Sequence, residues 1–70
     1  MKLHGEDKLM IISKRNRKKV CLPGAYRVID SNVNNCFIVK MWNPRSGLHR
    51  NRRFDKRLFS YFVRRSHAGV

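Results

Sequence analysis

Short apolar runs alternate with polar, turn-forming segments from the start of the chain to Trp42. The runs are rich in Ile, Val, Phe and Tyr and are bounded by Pro, Gly, Asn and Ser, which is typical of β-strands. They cover residues 8–13, 20–22, 25–30 and 36–42. The pattern therefore predicts a small antiparallel sheet of three or four short strands.

The clearest local signal is a central hairpin over about residues 25–42. A link of turn-forming residues, 31–35, joins its two strands, and hairpin loops often have this length. Strict alternation predicts that Tyr26 and Val28 share one face of the first strand. The second strand carries three apolar side chains on one face, at Phe37, Val39 and Met41. Before the hairpin, Pro23-Gly24 fits the central positions of a type II turn.

The spacing of apolar residues changes near the C-terminal end. From Phe54 they recur at the spacing of one helix face, at Phe54, Leu58, Tyr61 and Phe62. This spacing favours a C-terminal helix that ends before Gly69 and packs on the Phe37 face of the sheet. A strand over 58–63 is the alternative, because Phe, Tyr and Val favour strands. The predicted fold is α+β, with the sheet, one helix and basic loops in a single domain, 1–70.

The charge is strongly unbalanced, with 17 Lys and Arg against 4 Asp and Glu and a formal net charge of +13. Such an excess opposes compaction unless an anionic partner neutralises it. Ten of the 17 basic residues are arginine, whose planar group makes two parallel bonds to a phosphate. These features predict a nucleic-acid-binding protein.

RNA is favoured over DNA as the ligand. Irregular Arg-rich loops suit the varied backbone of folded RNA. The spacings of helix-turn-helix, zinc-finger and basic-zipper readers of DNA are not found in the sequence. We therefore expect a structured RNA, in a ribosome or another ribonucleoprotein.

The basic residues cluster in two predicted loops and on the polar face of the predicted helix. The first loop, 14–19, is expected to be mobile because its like charges repel one another. The second loop, 43–53, starts at the breaker Asn43-Pro44. Trp42 and Tyr26 are candidates for stacking on bases; the alternatives are that Trp42 closes the end of the sheet and Tyr26 packs across strands. The predicted binding residues are Lys14, Arg15, Arg17, Lys18, Lys19, Arg45, Arg50, Arg52, Arg53, Lys56, Arg57 and Trp42.

Catalysis fits the sequence less well than binding. A metal-independent RNase needs a general base and a general acid, for which His49, His67 and Tyr61 are the candidates, and this activity is a minor alternative. The cysteines and histidines lack the paired spacings of structural zinc sites, so we expect no metal and no cofactor. The protein is predicted to be non-enzymatic.

The expected location is the cytoplasm. The longest apolar run near the start, 9–12, is far shorter than the roughly 20 residues of a membrane-spanning helix, and no membrane partner is predicted. The main alternative function is a small basic regulator, for example from a virus or phage, that docks on DNA or on an acidic surface of a larger protein. Its charge would then mainly speed association. The sequence specifies no oligomeric state.

Overall fold

The computed structural model describes residues 1–3 and 7–65, which form six strands and no helix. The strands are β1 (Lys8–Ser13), β2 (Lys19–Leu22), β3 (Ala25–Ser31), β4 (Cys36–Asn43), β5 (Leu48–Asp55) and β6 (Phe59–Arg64). They build two antiparallel sheets: sheet I has the strand order β2-β1-β6, and sheet II has the order β3-β4-β5. The fold is therefore all-β. No helix able to span a membrane occurs in the described parts of the chain.

The predicted C-terminal helix is wrong, and so is the α+β class that depended on it. Residues 54–65 instead finish β5, turn, and form β6, which pairs antiparallel with β1. The helix-like spacing was misleading, because Leu58 lies in the turn and Phe62 faces outward, and both are exposed. The spacing that matters has a period of two and places three side chains against the core: Phe59, Tyr61 and Val63. The strand that was the alternative for 58–63 matches this segment.

The two sheets share one hydrophobic core. Sheet I contributes buried side chains from β1 and β2, and sheet II contributes them from all three of its strands: Leu9, Ile11, Leu22, Val28, Phe37, Val39 and Phe54. Ring contacts join the sheets, with centroid distances of 4.6 Å between Phe37 and Tyr61 and 5.5 Å between Phe54 and Phe59. The apolar face of β4 is therefore covered by sheet I, in the place assigned to the helix.

The hairpin expected over residues 25–42 is present as β3 and β4, which pair antiparallel. The chain enters it from sheet I at the Pro23-Gly24 corner, where Gly24 has a φ of 78°. The Trp42 amide donates a 2.8 Å hydrogen bond to the Gly24 carbonyl. A Cβ atom at Gly24 would lie 2.7 Å from the Trp42 carbonyl oxygen. Glycine thus allows the corner to sit directly against β4.

Of the two segments predicted as basic loops, the first connects two strands as a turn, whereas the second is mostly strand. Most of 43–53 is strand, because β5 starts at Leu48 and pairs with β4 to its end. β5 is an edge strand whose residues 48–53 are exposed on both faces, so apolar and polar residues do not alternate along it. The sequence pattern that indicates a half-buried strand therefore did not reveal it. The first segment is a tight turn between β1 and β2, in which the Ser13 amide donates a 3.0 Å bond to the Lys18 carbonyl.

Candidate nucleic-acid interface

Sheet II has a second face, the outer face, which points away from the core. Along each strand its residues alternate with the core residues, and the pairing register places them side by side. This outer face is formed by Tyr26, Arg27, Ile29, Ile38, Lys40, Trp42, His49, Asn51 and Arg53. All except Ile38 and Lys40 are exposed.

A β-bulge places Tyr26 on this face. The register shifts between Ala25, which pairs with Met41, and Arg27, which pairs with Lys40, so Tyr26 is the extra residue. Bulges re-aim a side chain in this way. Strict alternation predicted Tyr26 on the inward face of Val28, and that prediction is wrong. The Tyr26 ring instead lies 5.2 Å from the ring of His49.

Three aromatic rings form a row across the strands of sheet II. His49 is opposite Trp42 in the β4–β5 ladder, with 4.9 Å between the ring centroids, and its ring centroid lies 5.2 Å from that of Tyr26. Tyr26 and Trp42 remain 38% and 44% exposed. The Lys2 ammonium lies 5.9 Å from the centre of the Tyr26 ring. The row of rings is therefore exposed, next to cations, and separate from the core.

Cations share the outer face of sheet II with the rings, and others occupy the core-side face of β5. On the outer face, Arg27 and Lys40 are paired across strands, and Arg53 lies opposite Ile38. On the other side of β5, the Arg52 guanidinium lies 5.3 Å from the centre of the Phe54 ring. A shallow groove at that side is lined by Met41, Trp42, Asn43, Arg50 and Arg52.

The structure describes three side-chain carboxylates, and each has a cation beside it. Asp30 forms an ion pair with Lys56, and this bond, followed by one from Tyr61, lowers the pKa of Asp30. Asp55 accepts hydrogen bonds from Arg57, which lower its pKa to about 2. Asp7 lies 3.8 Å from Arg65. Local partners thus hold the described acids, and much of the basic excess faces solvent.

A second basic surface forms where the two short turns 14–18 and 56–58 meet. The Lys14 amide donates a 2.9 Å bond to the Leu58 carbonyl, and its ammonium donates a 2.6 Å bond to the Lys56 carbonyl. This turn surface comprises Lys14, Arg15, Arg17, Lys18, Lys19, Lys56 and Arg57. It lies next to the C-terminal end of β5, roughly 20 Å along the strand from His49.

The structure thus divides the predicted binding residues into two groups. Trp42, Arg50, Arg52 and Arg53 lie on β4 and β5, and Arg45 lies in the turn that joins these strands. The remaining ones form the turn surface. Sequence reasoning missed His49 as a ring that contacts both Tyr26 and Trp42, because it treated 43–53 as irregular.

The residues considered for catalysis do not come together. Tyr61 faces the core side of sheet II, where it packs on Phe37 and donates a 2.9 Å bond to Asp30. His49 lies on the opposite face, and His67 is outside the described residues. Among residues 1–3 and 7–65, no group of three His, Cys, Asp or Glu side chains is arranged to hold a metal ion.

No protein-family model, curated protein or solved structure matches this chain. Chemically, the outer face of sheet II combines two capabilities. Its exposed rings offer flat apolar surfaces for stacking, and its guanidinium and ammonium groups offer donors for phosphate oxygens.

Proposed function

We propose that the protein is a non-enzymatic nucleic-acid-binding protein whose main ligand is structured RNA, in a ribosome or another cytoplasmic ribonucleoprotein. The observation that carries this proposal is the edge strand β5. Its residues 48–53 are all exposed, and they present three arginines beside the ring row. Residues 48–53 are all outside the buried core, so their side chains are available to a ligand.

The charge on β5 favours a polyanion over another sheet. An exposed strand edge invites pairing with a second strand, and charged side chains are the usual protection against it. Here Arg50, Arg52 and Arg53 provide that protection, and the same guanidinium groups match phosphate in shape and charge. This supports nucleic acid over the alternative of strand addition to a larger protein.

The presence of exposed rings on a sheet supports RNA over duplex DNA. Sequence-specific RNA recognition uses unpaired bases that stack on aromatic side chains, and sheet surfaces commonly provide them. Major-groove reading of DNA mostly uses a helix or a two-stranded ribbon. The described strands present a broad face with rings, which fits the loops and bulges of a folded RNA.

The test is a pull-down with the tagged full chain from cell lysate at moderate salt, divided into nuclease-treated and untreated halves. We expect RNA to be enriched in the untreated half and the associated proteins to be lost after RNase. Loss after DNase alone would replace RNA by DNA as the ligand. A defined protein that stays bound after both nucleases would contradict the proposal and identify the basic surface as a protein-docking site.

A further inference from the structure

The row of rings on the outer face of sheet II is not explained by stability. The core of the protein is on the inner face, where sheet I covers Phe37, Val39 and Phe54. Tyr26 and Trp42 nevertheless keep 38% and 44% of their surface exposed on the outer face. Aromatic rings that are exposed as a group, rather than singly, indicate a binding surface.

The rings occur together because three elements of the fold converge there. The bulge in β3 turns Tyr26 outward, and the β4–β5 register sets His49 opposite Trp42. The hydrogen bond from the Trp42 amide to Gly24 holds this end of β4 against the chain corner. The surface is thus built on paired strands, which positions the rings more precisely than a loop would.

The surroundings of the rings select a negatively charged ligand. Arg27, Lys40 and Arg53 share the outer face with them. The groove beside Trp42 adds two arginines from the other side of β5, Arg50 and Arg52. Among the described residues, the carboxylate next to this face is that of Asp55, which ends β5 on the same side as Arg53, and Arg57 binds it. Flat rings among cations match a ligand that alternates flat bases with phosphates.

We propose that unpaired bases of a single-stranded RNA segment stack on Trp42, with the His49 and Tyr26 rings extending the platform. The phosphates of that segment lie against Arg27, Lys40 and Arg53. This inference rests on the proposed RNA-binding function and specifies it. The turn surface can contact the phosphates of single-stranded and duplex RNA alike, whereas the ring platform requires unpaired bases. Trp42 has the largest ring of the three and is more exposed than Tyr26, at 44% against 38%, so it provides most of the stacking.

The experiment compares two ligands with the full chain: an oligouridine of about ten nucleotides and an RNA duplex of about the same length. Trp42 is the chain's single tryptophan, so its fluorescence reports stacking directly. We expect the oligouridine to quench the fluorescence and the duplex to leave it nearly unchanged. We expect Trp42→Ala to weaken oligouridine binding by about tenfold or more and to leave duplex binding unchanged.

Two variants separate stacking from a general loss of structure. Trp42→Phe keeps a ring and should retain more oligouridine binding than Trp42→Ala. Phe62→Ala is the matched control, because Phe62 is also an exposed ring with a lysine nearby, at 39% exposure and 5.8 Å from the Lys19 ammonium, but it lies on sheet I. It should bind oligouridine as the wild type does.

The outcomes distinguish this inference from the function on which it rests. Suppose that the wild type binds both RNAs without quenching of its Trp42 fluorescence, and that Trp42→Ala binds oligouridine as tightly as the wild type. The stacking platform is then wrong, and RNA binding stands. An equal loss of both ligands in Trp42→Ala, or an equal loss of oligouridine binding in Phe62→Ala, also overturns the platform. If the wild type binds neither RNA at low salt, the proposed function itself fails.

Discussion

The Tyr61 hydroxyl donates a 2.9 Å hydrogen bond to the Asp30 carboxylate, and this bond joins sheet I to sheet II at the edge of the core. The same carboxylate forms an ion pair with Lys56 in the turn before β6. Burial of the Tyr61 ring, followed by its bond to Asp30, raises the pKa of the tyrosine. One carboxylate therefore fixes both the turn and the first half of β6.

The hydroxyl and the ring of Tyr61 contribute differently to stability. Tyr61→Phe keeps the ring, 4.6 Å from Phe37, and removes only the bond to Asp30, so we expect a small decrease in the urea midpoint. Tyr61→Ala also removes the inter-sheet ring contact and should destabilise by up to about 3 kcal/mol. Equal decreases for the two variants would show that the ring contributes nothing beyond its hydroxyl.

The ion-paired aspartates make stability depend on acid pH. Arg57 lowers the pKa of Asp55 to about 2, below the value of about 4 that aspartate has in an unfolded chain. The unfolded state therefore binds protons first, and the stabilisation present above pH about 4 is lost as the pH falls to about 2. We expect the melting temperature to decrease over this range. Asp55→Asn should be less stable at pH 7 and show a shallower decrease, whereas parallel curves would contradict the assignment.

The sequence pattern predicts a strand best where one face of the strand is buried and the other is exposed. In β4, apolar and polar residues alternate because sheet I covers one face, so both this strand and its hairpin with β3 were predicted correctly. β5 lacks that contrast, since residues 48–53 are exposed on both sides, and only pairing with β4 makes them a strand. The apolar residues of 54–65 fit both the two-residue period of a strand and the period of a helix. Pairing with β1 selects the strand.

The candidate site was predictable in charge but not in arrangement. The arginines and Trp42 could be identified from the sequence, because an excess of cations near an aromatic residue needs no fold to be noticed. The ring row depends on a bulge at Tyr26 and on the register that sets His49 opposite Trp42. Both follow from the register of two adjacent hairpins, which the spacing of apolar residues along the chain does not specify.

Gly24 and Gly47 provide a matched test of the corner that supports Trp42. Both have positive φ, 78° and 70°, so alanine at either site is strained by its backbone conformation, by roughly 1 kcal/mol. Only at Gly24 would the new Cβ also meet a backbone oxygen, that of Trp42 at 2.7 Å, whereas Gly47 has open space. We expect Gly24→Ala to lower the melting temperature clearly more than Gly47→Ala. Equal decreases in melting temperature would show that the corner moves away from the Trp42 oxygen at no cost in stability.

The arginines of β5 are expected to contact phosphates, and the salt dependence of binding measures this. Each phosphate contact contributes about 0.7–0.9 to the slope of log K against log[salt]. The double variant Arg50→Ala, Arg53→Ala should therefore reduce the magnitude of the slope for a folded RNA by about 1.5. The matched control removes two cations that are paired on sheet I, Lys8→Ala with Arg64→Ala, and should leave the slope almost unchanged. Equal reductions by the two variants would mean that net charge, rather than the surface of β5, determines RNA binding.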